Sequence, residues 1–299
     1  MKKFFLVVLF LMMYPLPAQA LDGGIGISPP FSNIVIRESE KQKKIAVKFV
    51  NNSNVLISLK LKVVDFGALD EAGGVAFLGF NKENLDKKYS LASWVNLSAD
   101  YLNIDPKKTV EVEVTILNRE SLSPGGHYGA VLATLEQSGV SGEEKVAVNQ
   151  SYGSLFYVNK EGGEKFGMKF SQLVTSKLWW KLDNQVQLRL QNSGNVHLIP
   201  RGLVVIKDQK NREVARGIIN SESAIILPET FRWFKFDLDS EKNLIMPGKY
   251  KLVVSYRYDG KNEFDNKETS FFYIGVEGVI FMLVGLISFI VLIWRRKNN

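Results

Sequence analysis

Asp65, Asp70 and Glu71 place three carboxylates within seven residues, and clustered carboxylates are what general acid–base hydrolysis or cation binding requires. The spacing lacks the alternating oxygen ligands of an EF-hand, and a solvated acidic loop is the simpler reading. The chain has no cysteine, which excludes a thiol nucleophile and any thiolate metal site. Its two histidines, His127 and His197, each follow a turn and take part in no His-x-x-x-His or Glu-x-x-His pattern. Asp65-Phe66-Gly67 copies a kinase tripeptide without a catalytic or phosphate loop. Gly23-Gly24-Ile25-Gly26 lacks the helix that would receive a phosphate. Neither a Ser-x-x-Lys pair nor a Gly-x-Ser-x-Gly elbow occurs. The residues therefore imply no catalytic set, no cofactor and no metal, and the expected activity is binding rather than catalysis. Trp179 and Trp180 join the three carboxylates as candidate partner contacts. Neighbours on a strand face opposite sides, so one of the two tryptophans is expected to point outward.

The elements that must position these residues are strands. Val110, Val112, Val114 and Ile116 alternate with polar residues, and so do Val186, Leu188 and Leu190; period two with one apolar face is the pattern of a half-buried strand. Glycine, proline, asparagine and aspartate clusters separate such runs from Ile25 to Ile274, as in β-sandwiches. The pattern occurs twice. Val47-Lys-Phe-Val-Asn51-Asn-Ser-Asn54-Val55 matches Leu188-Arg-Leu-Gln-Asn192-Ser-Gly-Asn195-Val196 at a constant offset of 141 residues. A proline turn at Pro106 or Pro228 follows in each copy, and then a Pro-Gly turn before Tyr128 or Tyr250. The expected fold is all-β: two tandem immunoglobulin-like β-sandwich domains over 21–162 and 163–276, followed by one transmembrane helix. The first copy carries an insertion over 67–89, and insertions on a repeated scaffold often carry binding function.

The two ends supply an address. Lys2 and Lys3, an apolar run from Phe4 to Tyr14 and the Ala18-Gln19-Ala20 pattern form a signal peptide over 1–20, with cleavage expected after Ala20. The uncharged run from Gly278 to Trp294 rises about 25 Å as a helix, enough for a short span. Arg295, Arg296 and Lys297 follow it in the 295–299 tail. By the positive-inside rule they place the C-terminus in the cytoplasm and the ectodomain outside a plasma membrane crossed once, over 277–294. These signals also account for most of the net charge of +7. Between Leu21 and Val276 there are 33 basic and 30 acidic residues, which gives no basis for nucleic-acid binding.

Three local motifs, Ile27-Ser-Pro-Pro-Phe31, Ser123-Pro-Gly-Gly-His-Tyr-Gly-Ala-Val131 and Asn192-Ser-Gly-Asn-Val-His197 with Pro200-Arg-Gly202, accompany this order of segments. In them the chain resembles the bacterial cell-surface family that interacts with WxL proteins. The resemblance implies a first immunoglobulin-like domain that binds peptidoglycan and a second, host-binding β-domain. The expected function is thus a membrane-anchored surface scaffold contacting the cell wall or a surface protein. The alternative is a membrane-tethered chaperone or assembly factor for exported surface proteins, since paired immunoglobulin-like domains also serve in strand donation to clients.

Overall fold

The structure, a computed structural model, describes residues 24–80, 83–136, 151–175, 185–239 and 247–298. The described chain is mostly strand, with one long apolar helix at its C-terminal end. It divides into two compact units. The first comprises residues up to Asp65 together with 90–122 and 128–158; the second comprises 66–89, 123–127 and everything from Asn159 onward.

In the first unit, one sheet has the order β1 (Ile25–Ser28), β3 (Gln42–Asn51), β8 (Thr109–Leu117), β6 (Val95–Leu97). The other runs β2 (Phe31–Ile36), β10 (Ser151–Lys160), β9 (Gly125–Leu135), β4 (Ile57–Ala68). There β7 (Tyr101–Ile104) pairs with the start of β4; the last residues of β4, 66–68, pair with β5 (Val75–Phe77) and belong with it to the second unit. The expected alternation in β8 is present: Val112, Val114 and Ile116 are buried, and Val110 packs against the same core. They meet Val47 and Phe49 of β3, and from the facing sheet Ile36, Leu59, Val131 and Phe156. The opposite face of β3 and β8 carries Lys44 paired with Glu113 (2.8 Å) and Lys48 with Glu111 (3.8 Å). These exposed pairs fix register more than they stabilise.

The second unit also has two sheets. One sheet is β11 (Met168–Thr175), β12 (Gln185–Asn192), β15 (Phe231–Asp237); the other is β14 (Glu213–Ile219), β13 (Arg201–Lys207), β16 (Gly248–Arg257), β17 (Asp265–Tyr273). Val186, Leu188 and Leu190 of β12 are fully buried, as their spacing predicts, and face Val204, Ile206, Leu252 and Val254.

The repeat noticed in the sequence has a physical cause. Asn51 is fully buried, and its Nδ2 donates to the carbonyls of Val55 (2.7 Å) and Ile104 (2.8 Å), with that of Asp105 at 3.1 Å; its Oδ1 accepts the Ser53 N–H. Asn192 is also fully buried. Its Nδ2 donates to the carbonyls of Val196 (2.7 Å) and Ile226 (3.0 Å), and its Oδ1 accepts the Gly194 N–H. Each amide turns the chain and ties that turn to a segment distant in sequence, adding a donor to its carbonyls. Burial also removes Asn51 from consideration as a glycan acceptor despite its Asn-x-Ser context.

Helix α1 (Gly275–Asn298) begins one residue after β17. Its segment Gly278–Arg296 has a mean hydropathy of 2.4 and no buried residue, long and apolar enough to cross a membrane.

Replacing Asn51 or Asn192 by alanine removes a fully buried amide with its bonds to two or more carbonyls, and each change is expected to cost about 1–3 kcal/mol. Replacement by aspartate destabilises in the same direction, because a carboxylate cannot donate. Denaturant unfolding of the full chain in micelles measures both; a change below about 0.5 kcal/mol contradicts the assigned role.

Candidate functional site

The three carboxylates are not assembled into one site. Asp65 belongs to the first unit, where its Oδ1 accepts the N–H groups of Leu91 and Ala92, each at 2.7 Å. It is nine-tenths buried and holds the fully buried Leu91 and the 3₁₀ turn Ala92–Trp94 against β4. Asp70 and Glu71 belong to the second unit. Asp70 is exposed and closes its own turn by accepting the N–H groups of Ala72 and Gly73. Glu71 takes a two-pronged bond from Arg189, Nε at 2.7 Å with Nη2 on the other oxygen, and its backbone carbonyl accepts the Trp233 N–H at 2.8 Å. The Arg189 guanidinium holds the Glu71 carboxyl below the usual carboxylate range and itself lies over the Phe231 ring. Among the described residues, no group of three or more metal-ligating side chains occurs.

Segment 66–89 folds with the second unit. Glu71 and the Lys88–Glu229 pair (2.9 Å) tie it to the β12 and β15 region, and Gly73, beside the Arg232 guanidinium, has a φ of +104° that other residues rarely adopt. Trp179 and Trp180 lie outside the described residues, as does Ala20. Arg295 and Arg296 are exposed at the end of α1, and the side chain of Lys297 is not among those described.

What the sequence reading missed is a sheet edge. A sheet edge presents unpaired N–H and C=O groups, and proteins guard it with brevity, charge or bulges. Strands β1, β5, β6 and β7 have three or four residues each. Strand β11 carries Lys169 and a bulge between Phe170 and Gln172. Strand β14 carries Glu213 and Arg216. Strand β15 carries Arg232, Lys235 and Asp237, and its Trp233 N–H is taken by Glu71. Strand β17 carries Asp265, Lys267 and Glu268.

Strand β2 is the exception. Phe31-Ser-Asn-Ile-Val-Ile36 contains no charge and has β10 on one side and no strand on the other among the described residues. Ile34 and Ile36 enter the core, while Phe31 (52 %) and Val35 (48 %) are exposed. The strand is firmly seated: the Pro30 carbonyl accepts the Leu155 N–H (2.9 Å), the Pro29 carbonyl accepts the Ser154 hydroxyl (2.7 Å), and Phe31 meets Tyr157 edge-on with centroids 6.4 Å apart. Six uncharged residues alternating between Pro30 and Arg37 were the available signal.

No family model matches the chain and no curated protein matches it, so the WxL-associated resemblance rests on its local motifs alone. Among solved structures, the chain is similar to the class 5 fimbriae chaperone CfaA, at 12% identity and a TM-score of 0.45, covering 82% of this chain and 99% of that one. It is also similar to the Escherichia coli chaperone DraB, at 10% identity and a TM-score of 0.38, over 82% and 98% of the two chains. A third is the CsuC–CsuE chaperone–tip subunit complex of Acinetobacter baumannii, at 14% identity and 0.38, over 82% and 98%. All three are structures of chaperones, and the cell-wall-contacting scaffold expected from the sequence has no counterpart among them.

The remaining titratable group of note is His197, in the loop after β12. Burial pushes its pKa down to about 4, only partly offset by the Asp259 carboxylate, which is itself bound to the Ile199 N–H and to Arg201. The folded chain therefore keeps His197 neutral where the unfolded chain, at about 6.5, takes up a proton. Its contribution is complete above pH 6.5 and is lost as the pH falls toward 4. On the order of 3 kcal/mol should disappear across that window, and His197→Gln should flatten the loss. Thermal unfolding of the full chain and the variant between pH 4 and 7 measures the difference; parallel pH profiles contradict it.

Proposed function

We propose that the protein is a membrane-tethered chaperone or assembly factor for exported surface proteins, one that receives an extended strand of its client along the free edge of β2. The observation that carries this reading is the unguarded edge itself. Every other edge strand among the described residues is short, charged or bulged, whereas β2 offers six uncharged residues with Phe31 and Val35 outward. Strand addition to such an edge gains main-chain hydrogen bonds whatever the client's sequence, and alternate side chains beside Phe31 and Val35 add selectivity for apolar residues. A factor that must hold several unfinished subunits needs this combination of sequence tolerance and apolar preference.

Three further parts of the reading belong with it. The two units are tandem immunoglobulin-like sandwiches, supported by the buried asparagine that turns the chain at the same stage of each. Residues 1–20 direct export, and α1 anchors the chain with the 295–299 tail in the cytoplasm, supported by Arg295, Arg296 and Lys297 following the apolar run directly. The partner is a surface protein in transit.

A photoactivatable benzoylphenylalanine at position 35 of the full chain, expressed in its native host, tests the proposal. Adducts with exported surface proteins, linked through a terminal strand, are expected at position 35 and not at Ile218, which is more exposed. Val35→Lys, which charges the edge without touching the core, should reduce client recovery about tenfold or more. Equal labelling at 35 and 218, or unchanged recovery with Val35→Lys, overturns it.

A further inference from the structure

The junction between the second unit and α1 contains almost no linker, and it carries an aromatic residue that its own core does not use. In β17, Phe271 and Tyr273 turn inward and pack on Tyr250, with ring centroids 5.9 and 6.1 Å away. Phe272 between them points the other way and is 65% exposed. Its cross-strand partner is Lys249, also exposed, on β16. Only Ile274 separates β17 from α1, and Gly275, at φ +73°, makes the bend between strand and helix.

The level of this corner relative to the apolar segment is fixed by packing. A side chain at Gly278, where that segment starts, would come within 3.0 Å of Pro247 Cγ. Pro247 directly precedes β16, so the base of the β16–β17 hairpin stands at the first turn of the span. Lys249 lies two residues further along β16, about 7 Å away, and Phe272 sits opposite it. The headgroup layer on one side of a bilayer is about 5–8 Å deep. An outward aromatic beside a lysine at that depth is the composition of a membrane interface: the ring is half-wet and the ammonium reaches phosphate.

We infer that Phe272 and Lys249 form an interfacial lipid-docking corner, whose partner is the phospholipid headgroup layer of the leaflet that α1 enters at Gly278. The second unit then stands directly on the bilayer, held by strand and helix together, and does not swing on a tether. The inference rests on α1 being a membrane span, and the experiment separates the two.

The cysteine-free chain allows single spin labels without background. Full-length variants Phe272→Cys, Lys249→Cys, Ile218→Cys and Ile287→Cys are reconstituted in nanodiscs of phosphatidylcholine and phosphatidylglycerol. Collision with oxygen, which enters lipid, is compared with collision with a water-soluble nickel chelate. Ile218 is the aqueous reference, since it faces Leu203 across β13, which in turn faces Ser255, six residues along β16 from Lys249. Ile287 is the bilayer reference. The label at 272 should meet the nickel chelate about fivefold less often than that at 218, with 249 intermediate and 287 the least exposed. A label at 272 as wet as that at 218, with 287 deep in lipid, overturns the docking corner alone. Wet labels at both 272 and 287 overturn the span and the corner together.

Discussion

Every backbone N–H and C=O withdrawn from water needs a partner, and this obligation organises the molecule from its cores outward. Within the sheets the ladders meet it. Where the chain turns out of a ladder, buried side-chain amides take part: Asn51 and Asn192 each bind carbonyls of a local turn and of a segment far away in sequence. The half-buried Asn118 and Asn220 bind carbonyls at other corners, the first those of Arg37 and Glu40, the second those of Pro200 and Ala224. Asp65 performs the converse task, accepting two N–H groups at the start of a 3₁₀ turn. At the sheet edges the obligation is met by water, and there the sequence must choose between guarding the edge and offering it. Eight of the nine edge strands among the described residues are guarded or short; β2 is neither. The functional reading follows from that difference.

Local pattern carried much of the fold. The alternation of Val112, Val114 and Ile116, and of Val186, Leu188 and Leu190, is a consequence of the pleat, so period two in the sequence reports the buried face directly. The asparagine motifs were legible as a repeat because a short side-chain amide, with two donors and an acceptor, suits a tight corner. The apolar run of α1 is equally plain, since no compensating pattern interrupts it. The site was less legible, for two physical reasons. Glu71 and Arg189 are 118 residues apart, and nothing local marks them as partners. The carboxylates 65, 70 and 71 looked like a cluster because sequence distance was standing in for space. Strand β2, conversely, shows its uncharged alternation in the sequence, but alternation becomes an exposed edge only once strand order is known.

Charge has a smaller part than the net value of +7 suggests. The ion pairs among the described residues, such as Lys44–Glu113, Arg212–Asp208 and Lys88–Glu229, lie at the surface and orient segments more than they stabilise them. Glu71 and Arg189 differ in kind, because the two-pronged bond is joined by the Trp233 N–H and the Phe231 ring. Together these contacts hold segment 66–89 against β15 and remove that strand's edge from competition. Under the proposed function, a guarded edge and an open edge made by the same chain would set a preference for where a client strand joins.

Hydrogen–deuterium exchange of the full chain in nanodiscs, with and without a short alternating valine–threonine peptide, reads this preference at the backbone. If β2 is the strand-accepting edge, every second amide of Phe31–Ile36, those not bonded to β10, gains about tenfold protection or more when the peptide is present, and loses that gain when the peptide's alternate amides are N-methylated. Unchanged exchange in β2, or protection appearing instead in β11, β14 or β17, would contradict the account.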